Sequence, residues 1–216
     1  MRRLNSSHQF EQWFTSEAGN FLLQQEREWN RDALTNVYGM HLMQLGVAKE
    51  NFARQAKEVH HSFVMATAIY EEQSWAVVEG ESEALPIATE SLTAVILPHV
   101  LEYSANPHQV LREVTRVLDE DGELLIYGFS PWSIQGLLGI GKETTCLSRR
   151  KIMDWLALLG YEVREQRILP ILTLSWRRSR LNTGAYQLVA KRRVTPLSRI
   201  HSRWRQRATV ASRNYG

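Results

Sequence analysis

Residues 79–133 read EGESEALPIATESLTAVILPHVLEYSANPHQVLREVTRVLDEDGELLIYGFSPWS, and the fold turns on this stretch. Leu92 to Leu97, LTAVIL, is a continuous apolar run of the kind that forms a strand buried on both faces. Asn106-Pro107 starts a helix, with proline just inside the first turn where its missing N–H costs nothing. Val110, Leu111, Val114, Val117 and Leu118 recur at helical spacing and give that helix an apolar face. Asp121-Gly122 is expected to stop it, and Glu123 to Phe129 to form the next strand. A strand, a helix and a second strand joined by short polar turns make a βαβ unit, which implies a parallel sheet.

The same alternation extends outward in both directions. Upstream, Met40 to Gly46, Ser62 to Ala68 and Trp75 to Val78 read as the first three strands, with a helix expected over Lys49 to Val59 from Phe52, Ala53 and Ala56. Downstream, Ser148 caps a helix whose inward residues are Ile152, Trp155, Leu156 and Leu159, and Gly160 ends it. Tyr161 to Ile168 and Ala185 to Ala190 suit an antiparallel hairpin at the sheet edge. Strands alternating with helices of this length imply a three-layer α/β fold with a mostly parallel sheet and an antiparallel edge strand. Before the first strand, residues 8–36 read as helical, with a second segment beginning at Ser16 and carrying Phe21, Leu22, Gln25 and Trp29 on one side. The expected organisation is a helical cap over residues 1–36, an α/β domain over 37–192 and a basic tail over 193–216.

Composition excludes several classes. Hydrophobic residues at 44% and charged residues at 23% supply a full core for one domain. The single cysteine, Cys146, rules out an internal disulfide framework and a cysteine-rich metal centre, and fits a cytoplasmic protein. No apolar run reaches the roughly 18 residues of a membrane span. The net charge of +3 hides an asymmetry. Residues 166–216 hold 12 Lys or Arg and no acid, which leaves 14 basic against 23 acidic residues in 1–165, a net of −9. An acidic body with a basic tail points either to an anionic partner such as RNA or to a tail that pairs with its own body.

In an open parallel sheet, ligands bind beyond the carboxyl ends of the strands, near the switch in strand order. Gly46, Glu81 and Ser82, Leu97, Pro98 and His99, and Gly128 to Pro131 fall at such ends. Glu81 can accept from a ligand amine or hydroxyl, His99 can donate a proton or a hydrogen bond, and Glu102 can reach back to nearby amides. Each also has a plain structural role open to it. No phosphate loop of the G-x-x-x-x-G-K-[ST] type is present, and no G-x-S-x-G elbow. Adjacent His60-His61 make a poor metal pair, and GLLGIGK over residues 136–142 reads as a flap beside the cleft.

The combination Glu81-Ser82, Leu85-Pro86-Ile87, Leu92 to Leu97, His99, Leu101-Glu102, Leu111-x-Glu113, Arg116-Val117-Leu118 and Gly122-x-Leu124 resembles the class I S-adenosylmethionine (SAM) methyltransferases of type 11. The later LSRRKIMDWLALLGYEV is similar to a subgroup of them. The resemblance implies a Rossmann-like methyltransferase fold with SAM as cofactor and an unidentified methyl acceptor. It implies that Glu81 approaches the adenine amine beside the Ser82 backbone, that Leu97, Pro98 and His99 floor the methionine end, and that Gly46 belongs to the loop over the cofactor. His99 is then the candidate catalytic residue. Three positions depart from the pattern: Gln44 where an acid precedes a glycine-rich loop, Thr67 where a carboxylate grips the ribose, and Thr93 where an aspartate begins the fourth strand. Two functions stay open, an active SAM-dependent methyltransferase and a non-catalytic member serving as a binding or regulatory module.

Overall fold

A computed structural model of the chain describes residues 11–67, 75–130, 147–170 and 184–193. Helix α1 spans Glu17–Ala33 and is followed by a 3-10 turn, Leu34–Asn36. Strands β1 (Gly39–Leu45), β2 (Val59–Ala66), β3 (Val77–Glu79) and β4 (Leu92–Pro98) come next. Beyond β4 lie α2 (Val100–Tyr103), α3 (Pro107–Val117), β5 (Leu118–Phe129), α4 (Arg149–Leu158), β6 (Tyr161–Pro170) and β7 (Gly184–Arg192). The strands form one sheet in the order β3-β2-β1-β4-β5-β7-β6. Every neighbouring pair is parallel except those made by β7, which runs antiparallel to both β5 and β6.

Side-chain alternation along the central strands divides the core into two layers. Met43, Leu45, Val95, Leu97, Leu124 and Ile126 pack one face of the sheet against Val110, Leu111 and Val114 of α3 and Ile152 and Leu156 of α4. Leu42, Ala94, Ile96, Leu125 and Tyr127 pack the other against Leu22 and Leu23 of α1 and against Phe52. The strand order reverses between β1 and β4, so their carboxyl ends form the crevice of a doubly wound sheet.

Three local expectations need correcting. Lys49 to Val59 forms no regular helix; only Phe52–Gln55 turns, as a 3-10 segment. The Asn51 side chain accepts from Arg54 N and the Gln44 side chain from Ala53 N, so side chains take the amides a helix would have used. Helix α3 ends at Val117 rather than at Asp121-Gly122, because its last carbonyls accept from the backbone of Glu90 and Ser91. Asp121, at φ 64°, instead lies within β5, where the register against β4 shifts between Leu92 and Ala94. The third correction concerns the buried side of α1. Phe21 is 57% exposed, while Leu22, Leu23, Glu26 and Asn30 are buried. The GLLGIGK glycines and residues 194–216 of the tail lie outside the described residues.

The Asn30 side chain anchors α1 through three hydrogen bonds. Its Nδ2 donates to Phe52 O at 3.0 Å and Gln55 Oε1 at 2.7 Å, and its Oδ1 accepts from Tyr127 Oη at 2.9 Å. Gln187 Nε2 of β7 donates to the same phenol at 2.8 Å, and Phe52 stacks on the Tyr127 ring. Removing one partner from a buried polar group costs its desolvation as well as the bond. Asn30→Leu is therefore expected to lower stability by about 2–3 kcal/mol in urea unfolding. Asn20→Leu, on the exposed side of α1, is expected to change it by less than about 0.5 kcal/mol. Equal effects of the two substitutions would show that the buried network carries no weight.

Candidate functional site at the strand-order switch

Gly46 turns the chain out of β1 at φ 130°, and a Cβ there would sit 2.6 Å from Pro98 O and 2.9 Å from Val100 Cβ. Only glycine allows so close a pass against the end of β4. The pass is fixed by Val47 N donating to Pro98 O at 3.0 Å and by Gly46 N donating to Met65 O. Gln44, fully buried, then holds the loop that follows. Its Nε2 donates to Val47 O at 2.8 Å and Glu50 O at 2.7 Å, and its Oε1 accepts from Ala53 N at 3.2 Å. A neutral amide can satisfy carbonyls and an N–H together, which a carboxylate cannot. Gln44 thus shapes the loop, and Arg27 of α1 pairs with Glu50 on its outer side.

One loop amide faces a carboxylate. Ala48 N donates to Glu11 Oε1 at 2.8 Å. Burial pushes the Glu11 carboxyl up to about 7, against the lowering pull of the Ala48 and Lys49 amides. Residues 11–13 form a helical turn that carries Glu11 to this point and lays Trp13 and Phe14 over the ends of the strands. The Phe14 ring lies 5.1 Å from His99, and Trp13 meets Phe129 edge-on at 5.5 Å.

His99 follows β4 in the left-handed region, at φ 55°. It is wholly buried, as is Glu26, and Glu102 is 2% exposed. His99 Nε2 lies 2.8 Å from Glu26 Oε1, and Nδ1 lies 3.9 Å from Glu102 Oε1. Glu102 also accepts from Phe129 N at 2.7 Å, and the Phe129 ring stacks on the imidazole at 4.5 Å. Burial works hardest against protonation of His99. Glu26 and Glu102 outweigh it, and the imidazole is held up to about 9, a cation at neutral pH.

Gly46, Pro98 and His99 therefore meet at one crevice, while the Leu97 side chain turns into the core beside Met43 and Leu45. Glu81 and Ser82 lie beyond the end of β3, two strands away, with Glu81 exposed and Ser82 5% exposed. Ala66 pairs with Glu79, and Gly80 N donates to Ala66 O, so this turn runs beside the end of β2. Thr93 is not at the crevice. Its hydroxyl accepts from Met40 N at the opposite end of the strands, so it joins the starts of β1 and β4. Glu11 and Glu26 carry no sequence signal of a role at the site, and Phe14, at helical spacing with Phe10 and Trp13, reads as core. Glu26 and Asn30 sit four and eight residues after buried Leu22, on its face of α1, but polar side chains in that register read as a solvated face.

Basic residues of the acid-free segment from residue 166 onward pair with the acidic body. Arg167 meets Asp32 at 2.9 Å, Arg192 meets Glu90 at 3.1 Å and Arg193 meets Glu162 at 2.7 Å. Among the described residues no group of three His, Cys, Asp or Glu is arranged to hold a metal, and no helix is long and apolar enough to cross a membrane.

Residues 25–126 match a family model described as a methyltransferase domain. An uncharacterized protein of Escherichia coli K12, YafS, is 31% identical over 179 residues, covering 76% of this chain and 73% of that protein. A chain from the complex that contains the Haloferax volcanii Trm112 methyltransferase activator superposes with a TM-score of 0.62 at 16% identity, over 85% of this chain and 97% of that one. An S-adenosylmethionine-dependent methyltransferase from Mesorhizobium loti superposes with a TM-score of 0.58 at 15% identity, over 77% and 98%.

Glu11 and His99 both bind their proton more tightly in the folded chain, so each contributes stability that is lost as pH rises. The Glu11 contribution is complete below about 4.5 and gone above about 7. That of His99 is complete below about 6.5 and gone above about 9. Urea unfolding is expected to show wild-type stability falling between pH 6.5 and 9, by roughly 3 kcal/mol. Glu26→Gln is expected to flatten that upper limb. A wild-type profile already flat over this range would contradict a protonated, carboxylate-held His99.

Proposed function

We propose that this chain, whose residues 25–126 match a methyltransferase domain, is an active SAM-dependent methyltransferase whose cofactor lies in the crevice between β1 and β4. The observation that carries this reading is the Ala48 amide. At the switch in strand order, beside a glycine that no other residue can replace, a loop N–H holds a carboxylate. SAM ends in a carboxylate, and the Glu11 contact is an internal stand-in for it. The residues present fit the cofactor at both ends. Ala48 would hold the carboxylate once Glu11 withdraws, Pro98 and His99 would floor the methionine end, and Glu81 with Ser82 would meet the adenine.

SAM, when bound, supplies a methyl group on a positively charged sulfonium. The Glu26–His99–Glu102 cluster sets two carboxylates against one imidazolium, and that net negative charge favours a cation nearby. His99 already holds its proton at neutral pH, so we assign it an electrostatic and positioning role instead of that of a base. Rate enhancement then comes from holding the reacting atoms in line and excluding water, with Phe14 and Phe129 as the apolar walls.

Thr67 offers the ribose a hydroxyl in place of a carboxylate. A hydrogen bond to a charged group contributes about 1.5–3 kcal/mol, so affinity is expected to be about ten- to a hundredfold below that of a site with the carboxylate. The competing reading is a non-catalytic module, favoured by Glu11 seated on the loop amide and by Thr67. Calorimetry with SAM and S-adenosylhomocysteine separates the two. Heat is expected for the wild type, with several-fold tighter binding in Glu11→Ala and about tenfold tighter in Thr67→Asp. No heat and no thermal shift at millimolar ligand in all three proteins would overturn the enzyme reading.

A further inference from the structure

A second cleft, of about 490 Å³, opens between the start of α4, the ends of β5 and β6 and the start of β7. Ser130, Ser148, Arg149, Arg150, Gln166 and Tyr186 are among its lining residues. Its inner wall touches the buried cluster. A Cβ on Gly128 would fall 2.5 Å from Tyr186 Oη and 2.8 Å from Glu102 Oε1, so the phenol and the carboxylate approach each other across a position that only glycine leaves open.

Two independent features mark the cleft as a site for an anion. The first is Tyr186. It is 3% exposed, and its hydroxyl has no hydrogen-bond partner among the described residues. Leaving a buried hydroxyl unbonded costs about 1–3 kcal/mol, which a ligand oxygen in the cleft would recover. Burial, then Glu102, raises the phenol well above its ordinary value, while the Arg149 charge lowers it. Tyr186 is therefore an O–H donor that Arg149 lies close enough to influence.

The second feature is the charge of the first turn of α4. Arg149, Arg150 and Lys151 follow the cap in succession, and the turn holds no acid. Cations at a helix N-terminus oppose the macrodipole, each typically by about 0.3–1 kcal/mol. Neither arginine forms an ion pair with a described residue, in contrast to Arg167, Arg192 and Arg193. Ser148 Oγ accepts from Lys151 N at 3.2 Å, which leaves the Arg149 and Arg150 amides without a partner among the described residues. An anion in the cleft would meet both guanidinium groups and these amides.

We propose that this cleft is the acceptor subsite, and that it takes the carboxylate or phosphate of a small-molecule methyl acceptor. Arg149, Arg150 and the first-turn amides hold the anion, and the Tyr186 hydroxyl donates to it from within. The volume lies in the range of about 300–1,000 Å³ usual for small ligands, which suits a compact molecule. The word acceptor rests on the methyltransferase reading above; the anion site rests on these residues alone.

The test uses the full chain with inorganic phosphate and acetate as probes, each against sodium chloride at matched ionic strength, followed by thermal shift and calorimetry. At least one of the two anions is expected to stabilise the protein beyond chloride, and which one does so identifies the acceptor's group. Binding is expected to weaken at least tenfold in an Arg149→Gln, Arg150→Gln double variant and several-fold in Tyr186→Phe. Both variants are expected to keep wild-type S-adenosylhomocysteine affinity within about twofold and an unchanged circular dichroism spectrum. Stabilisation no greater than that of chloride, or anion binding indifferent to the arginines, overturns the subsite. So does arginine-dependent binding of an RNA oligomer without any response to the small anions. Loss of S-adenosylhomocysteine binding with the anion response intact removes the methyltransferase reading and leaves the subsite standing.

Discussion

Three buried ionisable side chains, Glu26, His99 and Glu102, set the terms for the rest of the molecule. Taking such groups out of water costs several kcal/mol each, and the cost is offset only when partners and distances are close to ideal. Here the partners come from three elements. Glu26 arrives on α1, His99 leaves β4 at φ 55°, and Glu102 sits in α2 with its carboxylate on the Phe129 amide of β5. Helix α1 can lie on the sheet only where Glu26 reaches the imidazole, and Asn30, one turn on, then meets Tyr127. An electrostatic requirement at the crevice thereby fixes the packing of a helix against the sheet.

The same requirement links the two clefts. Glu102 faces His99 on one side and, across Gly128, the Tyr186 hydroxyl on the other. A charge that enters either cleft is felt through a medium from which water is excluded, where interactions are far stronger than at the surface. The first cleft is suited to a cation set against a net negative cluster. The second is lined by guanidinium groups and suits an anion. The proposed cofactor and acceptor sites thus lie on either side of Glu102, with opposite electrostatic preferences.

Much of the fold was legible in the sequence, because it follows from periodicity. LTAVIL could only be an interior strand, and Asn106-Pro107 with its apolar stripe could only open a helix. The segments that misled did so where side chains replace backbone hydrogen bonds. Gln44 and Asn51 take the amides of the expected helix after residue 49, and Glu90 and Ser91 cap α3 earlier than Asp121-Gly122 suggests. The crevice was half legible. Gly46, Pro98 and His99 follow from the rule that sites form beyond strand ends, whereas Glu11 and Glu26 come from a segment whose polar residues give no periodic signal. Gln44 and Thr93 serve structural ends that only the folded chain reveals, a loop knitted by an amide and a hydroxyl that joins two strands far from the crevice.

On the proposed reading, one loop amide, Ala48 N–H, serves in turn the chain's own carboxylate and that of the cofactor. A crystal structure of the full chain with S-adenosylhomocysteine tests it directly. The expected result is the ligand's carboxylate on Ala48 N with Glu11 withdrawn, and adenine beside Glu81 and Ser82. Glu11 still seated on Ala48 with the ligand elsewhere, or with no ligand bound at millimolar concentration, would contradict it.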